Sequence, residues 1–186
     1  MNRLILASAS PQRAALLKQI GLDFQAIKSD YCEPIIHDAG QVERVALAKA
    51  RNVGARFPDD LILGADTIVI CAGKVLGKPR DEREAREMLM SLSDKVHKVV
   101  TGVALVQGTR EISAREETLV WLRKIDEKEI NAYVNSGEPF DKAGSYAVQG
   151  KGAVFVKKVE GCFFNVVGLP LARTVDLLNK WGFSIW

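Results

Sequence analysis

The sequence has no long apolar run, no closely spaced cysteine pair and no marked excess of charge of either sign. Each absence excludes a class. No stretch reaches the roughly 18 apolar residues that a membrane-spanning helix requires. The opening MNRLILASASPQR holds only four consecutive apolar residues before Ser8, too few for a secretory signal. Cys32, Cys71 and Cys162 form an odd set without CxxC spacing, which excludes disulfide scaffolds and zinc-ribbon or thioredoxin patterns. A reducing compartment is the economical expectation, so the chain is expected to be cytoplasmic and without a membrane partner. His37 and His97 are not spaced to ligate a metal with each other or with Cys32, and both read as structural or surface residues. The GxxxxGK[ST] and GxGxxG phosphate loops are missing. With 26 Lys plus Arg against 23 Asp plus Glu, the net charge is +3 and the signs are interleaved. Trp121, Trp181 and Trp186 are scattered, so there is neither a basic stripe nor a stacking platform, and no stable nucleic-acid partner is expected.

What is present is a globular composition. The 186 residues, 47% hydrophobic and 26% charged, suffice for a full core, and no repeat, linker or low-complexity tract breaks residues 1–186 into more than one domain. Residues 3–7 read as a buried strand. Ser10 and Pro11 open a helix as N-cap and first residue, and Gly21 closes it. Residues 22–28 alternate like a strand, and a helix runs from about Gly40 to Arg56. LILGADTIVI and KVLGK predict a hairpin around Cys71-Ala72-Gly73. Asp81 with Glu84, and Asp126 with Glu129, are capping-box patterns for two further helices, the second stopped by Gly137. Residues 99–106 and 112–124 read as strands joined through Gly108, and Met88 and Met90 as core or boundary positions. After a glycine-rich loop (137–152), AVFVKKV and FFNVV predict a second hairpin, and Leu169 to Trp181 a last helix. Interleaved helices with hairpin-linked strands imply an α/β fold with a mixed sheet flanked by helices.

The informative residues are charges on faces that periodicity assigns to the core. Arg13 shares the inward stripe of the first helix with Leu16, Leu17 and Ile20, and lies in the first turn, where the helix dipole disfavours a cation. A bound phosphate would answer both objections; an arginine snorkelling outward is the competing reading. Lys49 sits amid Val42, Val45, Ala46 and Val53 on the second helix. Asp66 interrupts an otherwise apolar strand, where an unpaired carboxylate costs several kcal/mol and needs a cation, a metal or a task. Gly64 leaves room beside it for a ligand or a backbone. Lys78 follows the partner strand of the hairpin, and Glu33, in a loop, is a candidate hard-oxygen ligand. One acid, three cations and a candidate metal ligand suggest phosphoanhydride chemistry.

LASASPQR, LGADTIV, LGKP, the TGV strand, GEPFDKAGSYAVQGKG and NVVGLP, in that order from Leu4 to about Leu171, resemble the Maf family of nucleoside triphosphate pyrophosphatases. The resemblance implies an elongated mixed sheet flanked by helices, similar to the inosine triphosphate pyrophosphatases. It also implies a metal-dependent hydrolase that splits a nucleoside triphosphate into monophosphate and pyrophosphate, working as a homodimer. Asp66 corresponds to the family's proton acceptor, and Ser8, Arg13, Glu33, Lys49 and Lys78 to its polar pocket, with Glu33 and Asp66 as ligands of Mg²⁺ or Mn²⁺, Co²⁺ being a further candidate. The specificity positions map to Gln12, Thr67 and Gln149. Thr67 and Gln149 fit the branch acting on dTTP and UTP, whereas Gln12 departs from the usual SPRR pattern. The alternatives are the branch acting on 7-methyl-GTP, and a nucleotide-binding regulator of cell division and septum formation.

Overall fold

A computed structural model describes residues 3–183 and 185; Met1, Asn2, Ser184 and Trp186, and with it any role of that tryptophan, lie outside the described residues. The strands are β1 (Leu4–Leu6), β2 (Gln25–Ala26), β3 (Leu61–Cys71), β4 (Lys74–Leu76), β5 (Val96–Gln107), β6 (Arg110–Leu122) and β7 (Val156–Glu160). The helices are α1 (Pro11–Gln19), α2 (Gln41–Gly54), α3 (Glu82–Leu92), α4 (Glu127–Asn135), α5 (Phe163–Val167) and α6 (Leu171–Lys180). The strands form one mixed sheet in the order β2-β1-β3-β5-β6-β7, with β4 paired to β3. β1 runs parallel to both β2 and β3, while β4 and β7 pair antiparallel with β3 and β6. No helix among the described residues is long and apolar enough to cross a membrane.

The caps follow the sequence signals with one difference. Ser10 accepts from the N–H of Arg13 at the start of α1, and Asp126 and Glu129 complete a reciprocal capping box at α4. At α3 only half the box forms. Asp81 accepts from the Glu84 N–H, but the Glu84 carboxylate turns to the backbone and guanidinium of Arg80.

The chain divides into two compact units. The first comprises the residues up to Asp66, Thr101–Glu116, and those from Gly168 onwards; the second comprises Thr67–Val100 and Glu117–Val167. Each has its own core. In the first unit Ile5, Ala7, Ala50, Val53, Ile62 and Val106 cluster, so α2 lies directly on the sheet. In the second, Leu89, Leu92, Val120, Ile130 and Phe155 belong to a cluster joining α3, α4 and the sheet.

Two expectations fail in the second unit. FFNVV is the helix α5, not the return strand of a hairpin; β7 instead pairs with β6. Its apolar, β-branched residues suit a strand locally, but Asn165 is fully buried and its amide donates to the Val99 carbonyl and the Thr118 hydroxyl. That tertiary anchoring overrides local propensity. Met88 is buried as expected, whereas Met90 is 61% exposed and belongs to neither core nor boundary.

Candidate active site

Gly64 of β3 and Gly102 of β5 form a shallow seat for α2. A Cβ at Gly64 would lie 2.3 Å from the Ala46 carbonyl oxygen and 3.0 Å from the Ala50 nitrogen; one at Gly102 would lie 2.6 Å from the Val42 oxygen. Only glycine admits so close a helix backbone, so the room beside Asp66 is taken by α2 and not by a ligand. The approach positions Lys49, which precedes Ala50, against Asp66, two residues beyond Gly64.

Lys49 and Asp66 are both buried, and they meet. The ammonium donates to Asp66 Oδ1 at 2.6 Å and lies 2.7 Å from Glu33 Oε1. The Asp66 side chain is 8% exposed and that of Glu33 is 55% exposed, so one carboxylate is fixed in the interior and the other reaches in from a loop. Two carboxylates thus converge on one cation. Burying the Asp66–Lys49 pair is tolerable because each charge has a partner; removing either would strand the other.

Arg13 completes the cluster. Its Nε donates to the Gly168 carbonyl at 2.9 Å, and its Nη1 to the Ala65 carbonyl at 2.8 Å and to the Ser8 hydroxyl at 3.3 Å. The half-buried guanidinium therefore does not snorkel outward; it ties α1 to the end of β1, to β3 beside Asp66, and to the turn before α6. Burial pushes the Arg13 pKa down, and the negative charges of Asp66 and Glu33 oppose that shift. The Ser8 hydroxyl also accepts from the Ser10 N–H, and Gln12 accepts from the Ser10 hydroxyl at 3.2 Å, so Gln12 is held at the helix entrance.

Ser8, Gln12, Arg13, Glu33, Lys49 and Asp66 thus all fall in the first unit, and Arg13, Glu33, Lys49 and Asp66 form a balanced set of two positive and two negative charges. Thr67, Lys78 and Gln149 belong to the second unit: Thr67 is half-buried on β3, while Lys78 and Gln149 are exposed in loops. His37 is exposed and His97 buried, as a surface and a structural residue respectively. The His97 Nε2 pairs with the Tyr146 hydroxyl at 2.8 Å, and burial lowers its pKa to about 4. Trp121 lies under the Lys158 ammonium and Trp181 under the Arg110 guanidinium, in different units.

No group of three or more His, Cys, Asp or Glu side chains able to hold a metal occurs among the described residues. Glu33 and Asp66 alone still match a hard cation, since Mg²⁺ typically takes one or two carboxylates and completes its shell with water and substrate phosphates. The Lys49 ammonium between them marks a point where positive charge is stabilised.

Comparison with known proteins identifies the family. The family model for Maf-like proteins matches residues 3–181. The chain belongs to the Maf family. Among curated Maf relatives, a dTTP/UTP pyrophosphatase of Symbiobacterium thermophilum is 48% identical over 189 residues, covering 100% of this chain and 97% of its own. One from Moorella thermoacetica is 48% identical over 191 residues, covering 100% and 98%. Among solved structures, a nucleoside-triphosphatase / dITP/XTP pyrophosphatase from Mycobacterium abscessus aligns with 97% of this Maf chain and 95% of its own, at 14% identity and a TM-score of 0.46.

The contacts that assemble the candidate site were not readable from the sequence. The Lys49–Asp66 contact depends on Gly64, Gly102, Ala46 and Ala50 matching across a helix and two strands. The small residues were visible, but their registration was not. Glu138 lies in the GEPFDKAGSYAVQGKG motif with no role assigned to it there, and Tyr133, which with it organises the loop bearing Gln149, gave no signal.

Proposed function

We infer that this Maf chain hydrolyses dTTP and UTP to the monophosphate and pyrophosphate. The observation that carries the reading is the convergence of Glu33 and Asp66 on one cation beside a half-buried arginine, in a chain 48% identical over its length to dTTP/UTP pyrophosphatases. A triphosphate brings several negative charges, and this cluster supplies cations to meet them and a carboxylate to take a proton.

One water adds across the α–β phosphoanhydride: the P–O–P bond breaks, pyrophosphate leaves, and the proton released by the water passes to Asp66. Asp66 suits that task because it is buried, fixed by α2 and β3, and two residues from the close approach that holds it. Arg13, anchored through two backbone carbonyls, is a pre-oriented positive charge at the start of α1. Lys49 stabilises Asp66 in the free protein and exchanges one carboxylate for a phosphate oxygen when substrate arrives. Lys78 offsets the charge of departing pyrophosphate, and Ser8 holds the guanidinium in register. Glu33 and Asp66 would hold Mg²⁺ or Mn²⁺, which when bound polarises the phosphoryl group under attack. Thr67 and Gln149 read the pyrimidine edge, where hydrogen-bond donors and acceptors separate uracil and thymine from cytosine. Gln12 leaves one guanidinium fewer at the entrance to α1 than a second arginine would give. A homodimer in the cytoplasm is the proposed working form.

The test is a panel of nucleoside triphosphates, including dTTP, UTP, CTP and 7-methyl-GTP, with Mg²⁺, Mn²⁺ and Co²⁺, scored for pyrophosphate. Preferential release from dTTP and UTP is expected. Binding of these nucleotides without release would replace the enzyme with a nucleotide-sensing regulator, and preference for 7-methyl-GTP would move the chain to the other branch.

A further inference from the structure

Gln149 lies in a loop whose far end is tied to one carboxylate directly and whose near end is tied to it through a tyrosine hydroxyl. Glu138 follows α4; its Oε1 accepts from the Gly152 N–H at 3.0 Å and from the Tyr133 hydroxyl at 2.9 Å, and its Oε2 accepts from the Lys151 N–H at 3.0 Å. The Tyr133 hydroxyl in turn accepts from the Ala147 N–H at 3.1 Å. Ala147 is two residues before Gln149 and Lys151 two residues after it. Tyr133 is 5% exposed on α4 and packs edge-on against Phe155 with ring centroids 5.0 Å apart, so the anchor stands on a rigid element. At Gly152 a Cβ would lie 2.6 Å from the Ala147 carbonyl oxygen and 2.7 Å from the Tyr133 hydroxyl, so the loop closes only with glycine there.

The Glu138 carboxyl behaves as a committed acceptor. Burial alone would raise its pKa, but the Gly152 and Lys151 N–H groups, the Tyr133 hydroxyl and the Lys142 charge hold it below the usual range. Charge-assisted bonds of this kind are stronger than neutral ones, which is what a short exposed loop needs to keep one shape.

We propose that Glu138, acting with the Tyr133 hydroxyl, is a positioning residue for base recognition: it fixes residues 147–152 so that the exposed Gln149 amide meets the pyrimidine in one orientation. This rests on the reading of Gln149 as a base-reading residue. An amide carries a donor end and an acceptor end of nearly equal shape, so its selectivity depends on which end is presented. A loop that wanders lets the amide turn over and satisfy cytosine as well as uracil.

The experiment uses the full chain and the variants Glu138→Gln, Tyr133→Phe, Gln149→Ala and the Glu138→Gln/Gln149→Ala double variant. In Glu138→Gln the amide NH₂ meets backbone N–H donors, so hydrogen exchange of the 147–152 amides should accelerate about tenfold or more. The preference for UTP over CTP in kcat/KM should fall about tenfold, mostly through KM, with kcat within about threefold. Tyr133→Phe keeps the carboxylate bonds and should lose part of that preference. The double variant should be no less selective than Gln149→Ala alone, because both changes act through one amide. Unchanged exchange in Glu138→Gln would overturn the loop restraint. Faster exchange with unchanged preference, or additive losses in the double variant, would overturn the link to recognition. Should Glu138→Gln fail to fold, Tyr133→Phe decides the same question by the same two readouts. A wild-type chain inactive on both UTP and dTTP would overturn the functional reading and this inference with it, whereas the exchange result stands apart from that reading.

Discussion

Gly64→Ala tests the contact on which the candidate site depends. The added methyl would lie 2.3 Å from the Ala46 carbonyl oxygen and 3.0 Å from both the Ala50 nitrogen and its Cβ. Ordinary carbon–oxygen contact begins near 3.4 Å, so α2 must retreat from β3 by about 1 Å. Side-chain overpacking costs about 1–3 kcal/mol, and here the obstacle is helix backbone, so about 3 kcal/mol is expected. For a chain of this size that corresponds to a fall in Tm of about 6–12 °C. Lys49 moves with the helix, stretching its 2.6 Å contact with Asp66 and its 2.7 Å contact with Glu33. A misplacement of about 1 Å near reacting groups costs about 100-fold in turnover. Thermal denaturation followed by circular dichroism, together with pyrophosphate release from dTTP, reads both effects. A Gly64→Ala protein with wild-type Tm and turnover would refute the claim that the close approach of α2 assembles the site. A lowered Tm with full turnover would confine the glycine to stability and free the chemistry from it.

Asp66→Asn should reduce pyrophosphate release by about 100-fold or more while leaving the far-ultraviolet dichroism unchanged, since the amide keeps the shape but cannot take the proton; near-normal release would exclude Asp66 as the acceptor. Lys49→Met leaves Glu33 and Asp66 facing each other without their ammonium and should destabilise the protein by about 3 kcal/mol, at the low end for broken buried pairs because Glu33 is half exposed. Excess Mg²⁺ without nucleotide should then raise the Tm of this variant more than that of the wild type, and an equal response would argue against a shared cation site. For His97, burial lowers the folded-state pKa from 6.5 to about 4, so the unfolded chain binds the proton more tightly. Its contribution is therefore complete above pH 6.5 and is lost as pH falls towards 4, amounting to about 3 kcal/mol. His97→Gln, which retains a partner for Tyr146, should flatten the denaturant midpoint in that window, and superimposable pH curves would refute the assignment.

Much of the site was legible because burying charge is expensive. Lys49 and Asp66 stood out as ionisable groups on apolar faces, and both are buried. Arg13 stood out by the same logic and is held inward by the Ala65 and Gly168 carbonyls. Helix starts were legible because Ser10, Asp81 and Asp126 cap locally, within three residues of the N–H groups they satisfy. Where local signals competed with distant ones, reading by pattern failed. The FFNVV segment has the composition of a strand but folds as α5, because the buried Asn165 amide answers groups 47 and 66 residues away. At α3 the competition was itself local: Glu84 left its expected capping partner for Arg80, four residues before it.

By itself the sequence determined the family, the alternation of strands and helices, and which side chains are costly enough to demand a partner. Those properties depend on residue type and short spacing, which a linear chain displays directly. The tertiary structure decided what the partners are: that Lys49 answers both Glu33 and Asp66, that Gly64 and Gly102 admit α2 rather than a ligand, and that Glu138 and Tyr133 hold the loop around Gln149. Each of these contacts joins separate elements across a sheet or a loop, at distances set by backbone packing. Such distances exist only once the chain has folded, so no pattern along the sequence encodes them locally.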